Sequence, residues 1–162
     1  MKHSIHPCSS QEDAPYLILS SGLGGHSSFW LPQVDTLCQH FHVLTYDQEG
    51  CHQDSALLPA HYHMCDMATQ VLHLLEHLQI HEFHMIGHAL GGIIGMELAK
   101  QLQSSSITML SLTLINAWDE LDAHTQKCFD ARIALLASAG AEAYVRAQAF
   151  VFISPCMDFS ES

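Results

Sequence analysis

Positive charge is what this 162-residue chain most conspicuously lacks, with five Lys and Arg against seventeen Asp and Glu and a formal net charge of −12. A surface that negative repels polyphosphates and anionic headgroups, so nucleic acid and membrane are excluded as partners. Fourteen histidines add positive charge only as pH falls toward about 6.5. Long hydrophobic runs are missing too. The opening Met1-Lys2-His3-Ser4-Ile5-His6-Pro7 has a lysine but no apolar stretch behind it. Nowhere does the chain approach the ~18 apolar residues of a transmembrane helix. The six cysteines (Cys8, Cys38, Cys51, Cys65, Cys128 and Cys156) contain no C-x-x-C pair. With no export signal, free thiols and a cytoplasmic location are expected. Internal repeats, low-complexity segments and long linkers are absent as well, and the 48% hydrophobic content is enough for a single core.

What is present is an alternation of short apolar runs and helical stripes. Tyr16–Ser20 reads as a buried strand ending in the glycine cluster Gly22-Leu23-Gly24-Gly25. Phe41–Tyr46 is a second strand, closed by Asp47-Gln48-Glu49-Gly50, and Trp30–Gln39 between them has helical spacing. Met67, Val71, Leu74, Leu75 and Leu78 form one stripe of a helix over Met64–Leu78. Glu82–Ile86 is a third strand, Leu90–Leu102 a second clear helix, and Ile107–Ile115 a fourth strand. Asp119–Ser138 and Ala141–Phe150 are helical on either side of Ala139-Gly140. Strands alternating with helices at this spacing predict an α/β fold, a doubly wound, mostly parallel sheet.

Two segments carry chemistry. Gly87-His88-Ala89-Leu90-Gly91 lies between a predicted strand and a predicted helix, where a G-x-S-x-G nucleophile elbow sits, but Ala89 stands at the nucleophile position. An acyl-enzyme through that position is therefore excluded. The glycine loop after the first of these strands is placed to supply one oxyanion donor, the N–H of Leu23, within Gly22-Leu23-Gly24. The N–H of Leu90 supplies the other. The alternative is that the glycines only make a turn. No side chain is a certain catalyst, and His88, beside the elbow tip, is a candidate for substrate contact or for packing.

Three tempting patterns are weaker. His73-Leu74-Leu75-Glu76-His77 fits the H-x-x-E-H of inverted zinc peptidases. At ~100° per residue from Val71, however, both histidines fall opposite the apolar stripe and face water. His61, His63 and Cys65 alternate where a loop enters the helix, with no fourth ligand. Cys51 has no activating base nearby. No metal and no cofactor are expected.

The segments "SGLGGHSSFWLPQ", "YDQEG" and "IGHALGGIIGMELA", with Leu121-Asp122-Ala123-His124-Thr125-Gln126-Lys127-Cys128-Phe129, together resemble the RutD family. These are α/β-hydrolases, the aminoacrylate or carbamate hydrolases of the Rut pyrimidine-degradation pathway. The likeness runs from about Tyr16 to the last residues, and that family also carries Ala in G-H-A-L-G. It implies a small-molecule substrate from uracil ring opening and release of ammonia. One departure is Glu49 where the family has arginine; if Asp47 pairs with that arginine, two like charges face each other here. The other is length. The family fold continues past a helical cap to two more strands, the triad acid and the histidine. Residues 1–117 are thus expected to form the N-terminal part of the core and 118–162 the beginning of a truncated cap. Self-association through an exposed Ile107–Ile115 edge is expected to follow. A non-catalytic, hydrolase-like protein remains the alternative.

Overall fold

A computed structural model describes residues 1–52 and 54–151; Cys156 and the last part of the expected cap segment lie outside them. In chain order the elements are β1 (His3–His6), β2 (Tyr16–Ser20), α1 (Leu31–Leu37), β3 (His42–Tyr46), α2 (Met64–His77), β4 (Glu82–His88), α3 (Leu90–Gln101), β5 (Thr108–Ile115) and α4 (Ala123–Val151). A 3-10 turn at Ser27–Trp30 leads into α1, and Pro32 sits in its first turn. Proline's lost N–H costs nothing there.

The five strands form one sheet in the order β1-β3-β2-β4-β5. β2 pairs in parallel with both β3 and β4, β4 pairs in parallel with β5, and β1 alone runs antiparallel, against β3. The two-residue period of a strand divides β2 between two cores. Ile18 points to the side of α2 and α3, with Leu44, Val71, Leu75, Met85 and Ile94. Leu17 and Leu19 point to the side of α1, with Trp30, Val34 and Val43. Helices on both faces explain why β2 and β3 read as nearly continuous apolar runs.

The helical stripe of α2 is buried at Ala68, Val71, Leu74 and Leu75, and His73 and His77 are exposed. The rings of the H-x-x-E-H pattern accordingly face solvent. Among the described residues no helix is long and apolar enough to cross a membrane. None of the described residues groups into a metal-binding cluster. Five cysteines, Cys8, Cys38, Cys51, Cys65 and Cys128, are free thiols.

Nothing local in His3–His6 marks β1 as a strand. Its four residues are mostly polar and only half alternate, and what orders them is the open edge of β3. His3 to His6 register with Tyr46 to Val43, and the Asp47 amide donates to the Lys2 carbonyl at 2.9 Å.

The chain divides into two compact units, the first ending at Asp119 and the second beginning at Glu120. All the described strands and α1–α3 belong to the first. In the second, α4 is one helical span broken at Gly140, whose φ of 80° and ψ of 176° are not helical. Glycine alone takes that region readily. Its start is capped by Asp122, which accepts the Thr125 amide at 2.7 Å.

Candidate active site

The carboxyl ends of parallel strands are where open α/β sheets place ligands. Here β2 and β4 end side by side, with Ser20 opposite Gly87 in the register. The loop after β2 and the turn after β4 therefore leave the sheet at the same level. Closeness of the two backbones is built in by glycine. A Cβ on Gly91 would collide with the Ser20 carbonyl, and one on Gly87 would lie 2.5 Å from the Gly91 carbonyl oxygen and the Gly92 Cα.

At the tip of the turn Ala89 has φ 49° and ψ −116°, an unfavourable conformation for a residue with a Cβ. The surroundings hold it there: its amide donates to the Ile115 carbonyl at 2.9 Å, and its carbonyl accepts from Gly92 at 2.9 Å. Leu90 is the first residue of α3, so its N–H has no acceptor within the helix. Leu90 is buried, whereas Leu23 is 64% exposed. Gly22 lies against the elbow, and Gly24 takes a positive φ of 74° in open space. The structure thus brings together Gly22, His88 and Ala89 directly, with Leu23 and Leu90 one residue further along each backbone.

Residues that sequence reasoning passed over fasten the loop. Gln48 donates from Nε2 to the Ser21 carbonyl at 2.6 Å, and its own amide donates to the Gly25 carbonyl at 3.0 Å. Asp47, only 3% exposed, accepts the Ser27 amide at 2.7 Å and lies 3.8 Å from both the Lys2 ammonium and the His26 ring. Burial by itself would raise the Asp47 pKa, but the Ser27 hydrogen bonds, His26 and Lys2 outweigh it and hold the carboxyl below its ordinary value. Below these, Ser20 and Tyr46 share a buried hydroxyl–hydroxyl bond of 2.5 Å, and burial pushes the tyrosine up to about 12. The signal for all of this was the polar run Asp47-Gln48-Glu49 directly after an apolar strand. It was legible as a turn but not as the clamp of a distant loop.

The expected confrontation of Asp47 with Glu49 does not occur. Glu49 accepts the Tyr62 hydroxyl at 2.6 Å, while Asp47 turns to Ser27, His26 and Lys2. Burial and Glu49 raise the tyrosine's pKa, keeping it a donor. Cys51 is no nucleophile by this geometry, since burial and Asp47 both push its thiol up and away from the reactive thiolate. His63 serves at the head of α2, its amide donating to Asp66 at 2.7 Å.

His88 stacks on Phe29, with ring centroids 5.0 Å apart at 24°, and Phe29 in turn meets Trp30 edge-on. Four buried side-chain atoms here have no hydrogen-bond partner: His88 Nδ1, Ser21 Oγ, Gln48 Oε1 and Trp30 Nε1. All belong to the loop after β2, the turn after β3 or the elbow. By contrast, an open hollow of about 550 Å³ at the opposite, amino end of the strands, lined by Asp13, Tyr16, His81, Glu82 and Leu110 among others, offers no comparable convergence of groups.

Comparison with known proteins agrees with this geometry. The family described as alpha/beta hydrolase fold matches residues 15–149. A protein of Acinetobacter baylyi named "Putative carbamate hydrolase RutD" is 56% identical over 152 residues, which are 94% of this chain and 57% of that protein. Its namesake in Agrobacterium fabrum is 42% identical over 161 residues, 99% of this chain and 60% of the relative. The chain therefore spans less than two thirds of the length of these curated relatives. Among solved structures, a hydrolase from Pseudomonas aeruginosa superposes with a TM-score of 0.74 at 30% identity, covering 92% of this chain and 53% of that one. The enol-lactonase from Burkholderia xenovorans does so at 0.76 and 27%, covering 91% and 54%.

Proposed function

Because this chain belongs to the α/β-hydrolase family and groups with the RutD proteins, we propose that its elbow end promotes hydrolysis of carbamate or aminoacrylate, releasing ammonia. The observation that carries the reading is the strained turn at Ala89 lying against the Gly22 loop. An elbow without a nucleophile still aims two backbone donors, Leu23 N–H and Leu90 N–H, at one place. A carboxylate or carbonyl oxygen bound there is polarised without a covalent intermediate. For carbamate, a proton joins the nitrogen, the C–N bond breaks with its electron pair going to nitrogen, and carbon dioxide and ammonia leave. For aminoacrylate, water adds to the imine tautomer and ammonia departs from the resulting carbinolamine. The site need contribute little, because carbamate decomposes readily unaided.

The setting that follows from this reading is pyrimidine catabolism in the cytoplasm, with residues 118–162 acting as the beginning of a helical cap. The chain needs no cofactor for such chemistry.

The test is ammonia release from freshly generated carbamate and aminoacrylate by the 162-residue chain. Leu23→Pro deletes the donor N–H. Turnover is expected to fall by roughly a hundredfold or more with the circular dichroism of the parent retained. Leu23→Ala, which keeps the amide, is expected to stay within a few-fold of the parent. Equal rates for the proline variant and the parent would reduce the loop to a turn. A fluorophosphonate is expected to leave Gly87–Gly91 unlabelled, since Ala89 has no oxygen to phosphorylate. Covalent label mapped to that peptide would sink the non-covalent scheme.

A further inference from the structure

Two cysteines far apart in sequence meet at the amino end of β3, away from the elbow. Cys8 follows β1, and Cys38 caps the C-terminal end of α1. Hydrogen bonds fasten the segment after β1 to the end of α1 and the start of β3. The Cys8 amide donates to His42 Nδ1 at 3.1 Å, the Ser9 amide to the Cys38 carbonyl at 2.7 Å, and the Ser10 hydroxyl to the Gln39 carbonyl at 2.7 Å. The Ser9 hydroxyl adds a second bond to the Cys38 carbonyl at 3.2 Å. The Ser9 amide bond limits how far apart the two cysteines stand. In a trans peptide the Ser9 N–H lies on the same side as the Cys8 Cα, which puts that Cα about 4 Å from the Cys38 carbonyl oxygen. The Cys38 Cα is about 2.4 Å from the same oxygen, so the two Cα atoms are no more than about 6.5 Å apart. Disulfides bridge Cα atoms about 4.4–6.8 Å apart. The Cys38 thiol already faces this segment, donating to the His6 carbonyl at 3.6 Å.

We infer that Cys8 and Cys38 are a peroxide-oxidisable pair, Cys8 taking the oxidation and Cys38 resolving it to a disulfide within the chain. The division of roles follows from exposure and surroundings. Cys8 is partly exposed, with its sulfur 3.3 Å from the Ser10 hydroxyl. That hydroxyl, with the Ser10 and Gln11 amides, holds the Cys8 thiol below its ordinary pKa and so favours the reactive thiolate. Cys38 is buried, and burial, Asp35 and Cys8 push its thiol up, which keeps it inert toward peroxide itself. In the first step the Cys8 thiolate attacks one oxygen of hydrogen peroxide. The O–O bond breaks with its electron pair going to the leaving hydroxide, and Cys8 becomes a sulfenic acid. In the second step Cys38 gives up its proton and its sulfur bonds to that of Cys8, while the S–O bond breaks with its pair going to a second hydroxide. Each hydroxide takes up one thiol proton as water, so two thiols lose two electrons and one peroxide becomes two waters. The product ties β1 to α1. Lying away from the elbow, it is independent of the proposed function.

The test treats the reduced 162-residue chain with a small excess of hydrogen peroxide, blocks the remaining thiols with iodoacetamide, and maps a non-reducing digest by mass spectrometry. The expected product is a single chain in which one peptide pair is joined through Cys8 and Cys38, and dithiothreitol restores both thiols. Closing a loop of this length is expected to raise the melting temperature by about 5 °C or more. In Cys8→Ser, an exposed and mild change, oxidation of Cys38 is expected to slow roughly tenfold or more, and the melting temperature should not rise. In Cys38→Ala, Cys8 is expected to stop at the sulfenic acid and to take up dimedone about fivefold or more above the parent. The inference is overturned if Cys8 and Cys38 both emerge blocked by iodoacetamide, if either pairs with another cysteine, or if the link joins two chains. A link that forms without raising the melting temperature overturns it too, because the native fold would then have to open to make it. Equal oxidation of Cys38 in Cys8→Ser and the parent would overturn the assignment of Cys8 as the sulfur that meets peroxide. The peptide map of the parent depends on no variant folding and decides the pairing by itself.

Discussion

β2 and β5 are both apolar strands of one sheet, yet they live in different solvents. The five residues of β2 are almost wholly buried, while β5, eight residues long, is exposed at six of its eight positions, including Leu110, Leu114 and Ile115. Composition alone does not explain this, since half of β5 is Leu or Ile. Neighbours do: β2 has a parallel partner on each side and a helix layer on each face, whereas β5 is the last strand of the described sheet and bonds only to β4. A Leu110 bulge, opposite the step between Phe83 and His84, loosens it further. Hydrophobicity thus records what a strand is able to bury, and topology decides whether it does.

Side-chain truncation is the sharpest way to break the comparison. Ile18→Ala in β2 is expected to cost about 2–5 kcal/mol, whereas Leu110→Ala in β5 is expected to cost less than about 1 kcal/mol. Urea unfolding of both variants reads the difference, and similar costs would mean that β5 is covered in solution. A smaller effect concerns the polar clamp at the end of β3. Asp47 has its pKa lowered in the folded chain, so its contribution to stability is complete above the unfolded carboxyl pKa of about 3.9. That contribution is lost as pH falls through the folded value. Asp47→Asn should flatten the acid side of the stability profile and leave the slope between pH 6 and 8 unchanged. An unaltered acid slope would show that the Ser27, His26 and Lys2 contacts do not discriminate between charged and neutral forms.

The smallest expected change in stability accompanies a clear change in behaviour. An uncharged, proline-free edge such as β5 is the kind that pairs with copies of itself. The chain is therefore expected to self-associate, as size-exclusion with light scattering would record. Leu110→Lys should shift it toward monomer while altering stability by no more than about 0.5 kcal/mol. A parent that is already monomeric with a cooperative thermal transition would show the edge protected.

Much of this architecture could be read before the fold was known, because period and punctuation are local. The stripe of α2, the apolar run of β2 and the break between two helical stretches at Gly140 each lie within a few neighbouring residues, and each was legible. What escaped was non-local. β1 exists because β3 has a free edge, and nothing in His3–His6 announces that edge. The elbow was recognisable from Gly87 and Gly91, whose smallness the turn demands. Its companions Gln48, Asp47 and Phe29 were not, since each reaches a loop or ring far away in sequence. Glu49 misled for the same reason: its charge was visible, but its hydrogen-bond partner Tyr62 was not.

The register that sets Ser20 beside Gly87 also has a kinetic meaning. β4, α3 and β5 are neighbours in sequence and close on one another early, while β2 must find β4 across the whole span from residue 16 to residue 83. Pairings of that sequence separation are slow, because the loop entropy is lost before the contact is gained. The loop at Gly22 and the elbow at Ala89 meet only when this longest closure completes. A partly folded chain with α3 and β5 already in place would possess the turn and its helix but nothing opposite them. Competence of the site and completion of the sheet are then a single event in time, so the recovery of ammonia release during refolding should track the last folding phase rather than the appearance of helix.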